Sequence, residues 1–96
     1  MRSVRLVVRN PSGIHARPGA VFVRTAGRFQ SDITITNVSK SKGPANAKSI
    51  LSVMPLGASM GSEIEVSAVG ADEAAAIDAI REAVESGLGE DLGALE

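Results

Sequence analysis

His15 is the one histidine of the chain, and it stands in Gly13-Ile14-His15-Ala16-Arg17-Pro18. An imidazole has an unperturbed pKa of about 6.5, so much of it is neutral and nucleophilic at pH 7. The turn cluster Asn10-Pro11-Ser12-Gly13 precedes the ring and gives access to it. Pro18 is tolerated in a first helical turn, so a helix is expected to start beside His15. Helix-start N–H groups and the macrodipole attract anions. Arg17 adds a forked donor matched to phosphate oxygens. Together these residues point to acceptance of a phosphoryl group on His15, supported by Arg17. A lone histidine in a small domain is most often an ordinary turn residue. What singles this one out is glycine, histidine, arginine and proline meeting at one strand-to-helix junction.

A second segment, Ile50-Leu51-Ser52-Val53-Met54, is too apolar for so short a helix to bury completely. Some of Ile50, Leu51 and Met54 are expected to face solvent, where an apolar patch suits docking. Methionine suits a surface that meets several partners. The competing reading is a plain core turn. Ser49 likewise has two readings, a helix cap or a phosphorylation site whose charge would oppose an acidic partner. Arg24 and Arg28, one helical turn apart, read either as a solvated face or as a basic rim to the patch. Glu82, Glu85 and Glu90 read as ordinary solvated acids.

The elements that must position these groups follow from hydrophobic period. Ser3 to Arg9 alternates, with Val4, Leu6 and Val8 on one face. The helix after His15 is expected to end near Gly27 and Arg28. Ala16, Ala20, Val23 and Gly27 form one of its stripes, and Phe22, Ala26 and Phe29 another. Asp32 to Asn37 reads as a second strand, with Ile33 and Ile35 inward. Lys40 to Pro44 reads as a hairpin loop, with a short third strand within or just after it. Ser49 opens the short helix, which Pro55 and Gly57 are expected to stop. Glu63 to Val69 is the fourth strand. Asp72 then caps a long helix with a stripe of Ile77, Ile80, Val84 and Leu88, ended by Gly87 and Gly89. The order β-α-β-β-α-β-α predicts an α+β fold, a two-layer open-faced sandwich with a four-stranded antiparallel sheet and three helices on one face. Residues 1–90 form the expected domain, and 91–96 a flexible tail.

Composition narrows the function. The chain has 96 residues, 44% of them apolar, enough for a single modest core. A net charge of −1 and two aromatic residues, Phe22 and Phe29, weigh against nucleic-acid binding, which uses basic faces and stacking platforms. With no cysteine and one histidine, neither a disulfide framework nor a metal cluster is expected, and no cofactor is called for. No apolar run approaches the roughly 20 residues of a membrane span. No signal-peptide core precedes the first strand, so a cytoplasmic location is expected. A histidine phosphatase would need a second histidine or an acid to protonate its leaving group, and there is no second histidine.

These residues resemble the histidine-containing phosphocarrier family, HPr, of the bacterial phosphotransferase system. The likeness runs from Ser3 to about Glu90. It is carried by Gly13-Ile14-His15-Ala16-Arg17-Pro18, Asn46-Ala47-Lys48-Ser49-Ile50, Val53-Met54-Pro55-Leu56-Gly57, Gly70-Ala71-Asp72-Glu73 and Gly87-Leu88-Gly89-Glu90. The resemblance implies a βαββαβα sandwich. It implies that His15 is phosphorylated on Nδ1 by charged enzyme I and passes the group to a sugar-specific IIA component, with Arg17 supporting the phosphoryl group. It places Ile50, Leu51 and Met54 in a shared docking surface. Ser49 falls at the family's regulatory serine, a target of an HPr serine kinase/phosphorylase in many Gram-positive bacteria. A monomer is expected, because transient docking needs an open patch. Alternative roles are a nitrogen- or dihydroxyacetone-related branch, or a domain of a fused phosphotransferase protein. Three departures stand out: Gly19-Ala20 where Ala-Thr or Ala-Ala pairs are commoner, a minor change expected to loosen the first helical turn; a segment Asn37 to Asn46 longer than in the usual single-domain carriers; and Pro55 directly after Met54.

Overall fold

Inward residues of the sheet come from strict alternation. The computed structural model describes residues 1–90, and the expected tail, 91–96, lies outside the described residues. Four strands form one sheet: β1 (Arg2–Val7), β2 (Asp32–Asn37), β3 (Lys42–Asn46) and β4 (Glu63–Val69). They lie in the order β1-β4-β2-β3, with each neighbouring pair antiparallel. Leu6, Ile33, Ile35, Ile64, Val66 and Ala68 point to one side and are buried. The other side is polar: Ser3 and Ser67 share a hydroxyl hydrogen bond at 2.8 Å, and Arg5 donates to Glu65 at 3.3 Å. An antiparallel sheet with one wet face needs helices only on the other.

Helices α1 (Ala16–Gly27), α2 (Ile50–Val53) and α3 (Glu73–Glu85) complete the βαββαβα sandwich. Phe22 and Ala26 of α1 and Ala76, Ile77, Ile80 and Val84 of α3 close the core, and Leu88 seals its end. The expected stripe Ala16, Ala20, Val23, Gly27 is not the core face. Ala16 and Gly27 are exposed, and the buried side of α1 is Pro18, Gly19, Phe22, Thr25 and Ala26. Small residues carry little burial energy, so Phe22 sets the face of this helix.

Three local expectations change. The segment read as a loop is largely strand: β3 begins at Lys42, and only a tight turn, with Ser41 N–H donating to Val38 C=O, joins it to β2. Pro55 does not stop the helical path after Met54. It sits in the first turn of a 3₁₀ helix, Met54–Leu56, where a missing N–H costs little, and left-handed Gly57 ends that turn. Asp72 occupies the N-cap of α3, but its side chain makes no capping bond. Its carboxylate instead accepts from the Ser31 hydroxyl and from the N–H groups of Gln30 and Ser31, which ties the connection between α1 and β2 to the start of α3. Those donors hold the Asp72 carboxyl below its ordinary range, the Ser31 hydroxyl most and the Gln30 N–H next.

Candidate functional site

His15 is the N-cap residue of α1, in extended backbone at φ −147° and ψ 154°, and it is exposed. Its C=O accepts the first helical bond, from Gly19 N–H at 3.2 Å. The N–H groups of a first turn have no intrahelical acceptor. Pro18 has none to offer, which leaves the Ala16 and Arg17 amides, among the described residues, as unused donors at this helix start. Ala16 lies in the left-handed region at φ 52°, rare for a residue with a Cβ. Arg17 is exposed and forms no ion pair among the described residues. His15 and Arg17 therefore stand at one solvent-facing helix start.

Two backbone contacts with the Ala58 segment place the imidazole. Gly13 takes φ +68°, and a Cβ there would strike the Ala58 carbonyl oxygen and come within 2.7 Å of Ser59 Cα. Ile14, 2% exposed, donates its N–H to the same Ala58 carbonyl at 2.8 Å. The resulting hollow, about 190 Å³, is lined by Ser12, Ile14, His15, Gly57, Ala58 and Ser59. The Ala58 segment is itself fixed from the sheet. Buried Asn37 at the end of β2 donates to Leu56 C=O at 2.8 Å, and Lys40 Nζ donates to Gly57 C=O at 3.0 Å.

The apolar patch is present. Leu51 is 83% exposed and Ile50 37%, while Met54 is part-buried and Val53 alone of α2 is buried. The patch belongs to the histidine end of the molecule, because a Cβ on Gly19 would lie 3.4 Å from Ile50 Cδ1. Gly19 thus lets α2 approach the first turn of α1. Ser49 sits at the N-cap of α2 but makes no side-chain capping bond; its backbone C=O accepts from Ser52 and Val53. The cap reading of its hydroxyl is overturned, since that hydroxyl instead accepts from Ser52 Oγ at 3.2 Å. Arg24 on α1 and Arg28 at its C-cap are exposed, and the Arg28 guanidinium lies 5.6 Å from the Phe29 ring centroid.

Sequence reasoning missed two residues beside the site. Asn10 is fully buried, and its Nδ2 donates both to Gly13 C=O at 2.8 Å and to Glu90 Oε1 at 2.8 Å. Glu90 is not an ordinary solvated acid. It also accepts from Ser12 N–H at 2.9 Å and from the Ser12 hydroxyl at 2.8 Å. The Asn10 amide, then the Ser12 N–H and hydroxyl, hold the Glu90 carboxyl below its usual range. Among the described residues no group of acids or histidine could hold a metal, and no helix is long and apolar enough to cross a membrane.

Known proteins resemble this chain over most of its length. Residues 2–86 match the family described as PTS HPr component phosphorylation site. The multiphosphoryl transfer protein of Escherichia coli O157:H7 is 46% identical over 88 residues, 92% of this chain but 23% of that protein. The chain thus spans about a quarter of the length of that relative. The phosphocarrier protein HPr of Mycoplasma pneumoniae is 36% identical over 85 residues, covering 88% of this chain and 94% of that one. The crystal structure of HPr-C-His from Thermoanaerobacter tengcongensis superposes with a TM-score of 0.88 at 42% identity, over 95% of this chain and 99% of that one. With its βαββαβα sandwich and its histidine at the start of α1, the chain belongs to the HPr family of the phosphotransferase system.

Proposed function

We propose that this domain is a phosphocarrier. The lone pair of His15 Nδ1 attacks the phosphorus presented by phospho-enzyme I. The bond from phosphorus to the donor atom breaks, and its electron pair leaves with the donor. Transfer to a IIA component runs the same exchange in the other direction. The domain is a relay rather than an enzyme, because the chain itself is modified and regenerated. Arg17 and the free amides at the start of α1 steady the phosphoryl oxygens.

The observation that carries this reading is the pairing of an exposed His15 at a helix start with the exposed apolar face of α2 packed against the same turn. A relay needs both a chemical group and a surface on which donor and acceptor can alternate. Ile50, Leu51 and Met54 form that surface, with Arg24 and Arg28 as its basic rim. Ser49, part-buried at the border of the patch, is its regulatory position if the source organism has the HPr serine kinase/phosphorylase. The domain works as a monomer in the cytoplasm.

Incubation with enzyme I and labelled phosphoenolpyruvate tests the proposal. The wild type should acquire one acid-labile phosphoryl group, and His15→Ala none. Equal labelling of His15→Ala would overturn it. Release of free phosphate in place of a stable phosphoprotein would favour a hydrolase.

A second reading has the domain acting within a fused polypeptide, favoured by its likeness to one segment of multiphosphoryl transfer proteins. Transfer assays against individual IIA components separate a general carrier from a dedicated one.

A further inference from the structure

The turn that delivers His15 is tied to the far end of the domain. Its ends are closed by Gly13 N–H donating to Asn10 C=O at 3.1 Å. Inside it, both hydrogens of the Asn10 amide are committed, one to Gly13 C=O and one to Glu90. Two acceptors facing one nitrogen leave no alternative orientation for that amide. Glu90 Oε1 takes a second bond from Ser12 N–H, and Oε2 takes the Ser12 hydroxyl. One carboxylate thus gathers three donors from the turn. Its backbone is held in place as well, by Glu90 N–H donating to Gly87 C=O at 2.9 Å, beyond buried Leu88.

We infer that Glu90 is a positioning residue for His15, fixing through Asn10 and Ser12 the turn from which the imidazole is presented. The contact to Ala58 braces this turn from one side and the Glu90 carboxylate from another. Between them they remove the freedom that Gly13 would otherwise give. The Glu90 carboxylate bonds Asn10 and Ser12 and makes no hydrogen bond to the imidazole. Its effect is on geometry, and misplacement of a reacting atom by an ångström is enough to slow transfer severely. This inference rests on His15 being the phosphoryl acceptor.

The test compares the wild-type chain of 96 residues with Glu90→Ala, Glu90→Gln and the remote core variant Ile33→Val. The measurements are single-turnover acceptance from phospho-enzyme I, affinity for unphosphorylated enzyme I, and hydrogen exchange at the Ser12 amide. In Glu90→Ala, acceptance should slow by about tenfold or more while affinity for enzyme I stays unchanged. Exchange at Ser12 should accelerate in the same variant. Glu90→Gln, which still accepts through one oxygen, should recover part of both. Ile33→Val, destabilised but far from the turn, should keep the wild-type rate. Wild-type acceptance by Glu90→Ala, or an equal slowing in Ile33→Val, would overturn the inference with the carrier reading intact. A wild type that accepts no phosphoryl group would overturn both.

Discussion

The Ile14 amide donates to the Ala58 carbonyl at 2.8 Å, so the residue before His15 is hung on a segment more than forty positions later. That single bond makes the site depend on the second half of the chain. The 3₁₀ turn and the β2–β3 hairpin set the height of Ala58, and Ala58 sets the height of His15. Gly13 permits the approach, because its left-handed φ and missing Cβ let the backbone close on Ala58 and Ser59.

Gly13→Ala is therefore expected to lose both advantages. Left-handed backbone costs an L-residue about 1–2 kcal/mol, and the clash with the Ala58 carbonyl adds to it. Denaturant unfolding should show a loss of at least about 1 kcal/mol, together with slower phosphoryl acceptance. A variant with an unchanged midpoint would contradict the close approach.

Arg17 should be separable from the fold. It is exposed and unpaired among the described residues, so Arg17→Ala should change stability by no more than about 0.5 kcal/mol. Loss of charge-assisted hydrogen bonds, worth about 1.5–3 kcal/mol, should slow phosphoryl transfer by roughly 10- to 150-fold. Arg17→Lys should keep the charge but lose the forked geometry and fall between the two. Rates from quenched-flow labelling decide this, and an unimpaired Arg17→Ala would remove Arg17 from the site.

Much of the sandwich was legible because its central strands alternate cleanly. Ile33 and Ile35, and Ile64, Val66 and Ala68, announce β2 and β4 at the observed bounds. Strand β3 carries Lys-Gly-Pro-Ala-Asn and is mostly exposed, so it has no burial period to read; it is a strand only because β2 pairs with it. The placement of His15 and Arg17 at an exposed helix start was legible because the turn residues and Pro18 that mark it are local in sequence. The Asn10–Glu90 bond was not, since a hydrogen bond between residues 80 positions apart leaves no periodic trace. Asp72 shows the same limit: its type and position suit a cap, but donors from Gln30 and Ser31 compete for the carboxylate and win.

Leu51 offers a test of the docking face with little effect on folding. At 83% exposed it contributes little to the core, so Leu51→Glu should shift stability by no more than about 0.5 kcal/mol. Placing a charge at the centre of an apolar contact should weaken binding to enzyme I by at least about 1 kcal/mol, a factor of about five or more. Titration calorimetry would show it. Affinity equal to the wild type would move the docking surface away from α2.

The Asp72 clasp makes acid stability predictable in sign. Its carboxyl is held below the ordinary value by the Ser31 hydroxyl first and the Gln30 N–H second, so the folded state resists its protonation more than the unfolded state does. As pH falls below the usual carboxylate range of about 4, the unfolded chain takes up the proton first, and stability drains until the folded group is also protonated. Glu73 acts in the same direction, held down by the Gly70 N–H first and then by the terminal ammonium of Met1, whose nitrogen lies 3.0 Å from its Oε2. Glu90 joins them through Asn10 and Ser12. Asp72→Asn should consequently be less stable than the wild type at pH 7, with the difference shrinking toward pH 2. Urea unfolding at a series of pH values checks the slope. A difference that grew on acidification would mean that the Ser31 and Gln30 bonds do not favour the ionised form.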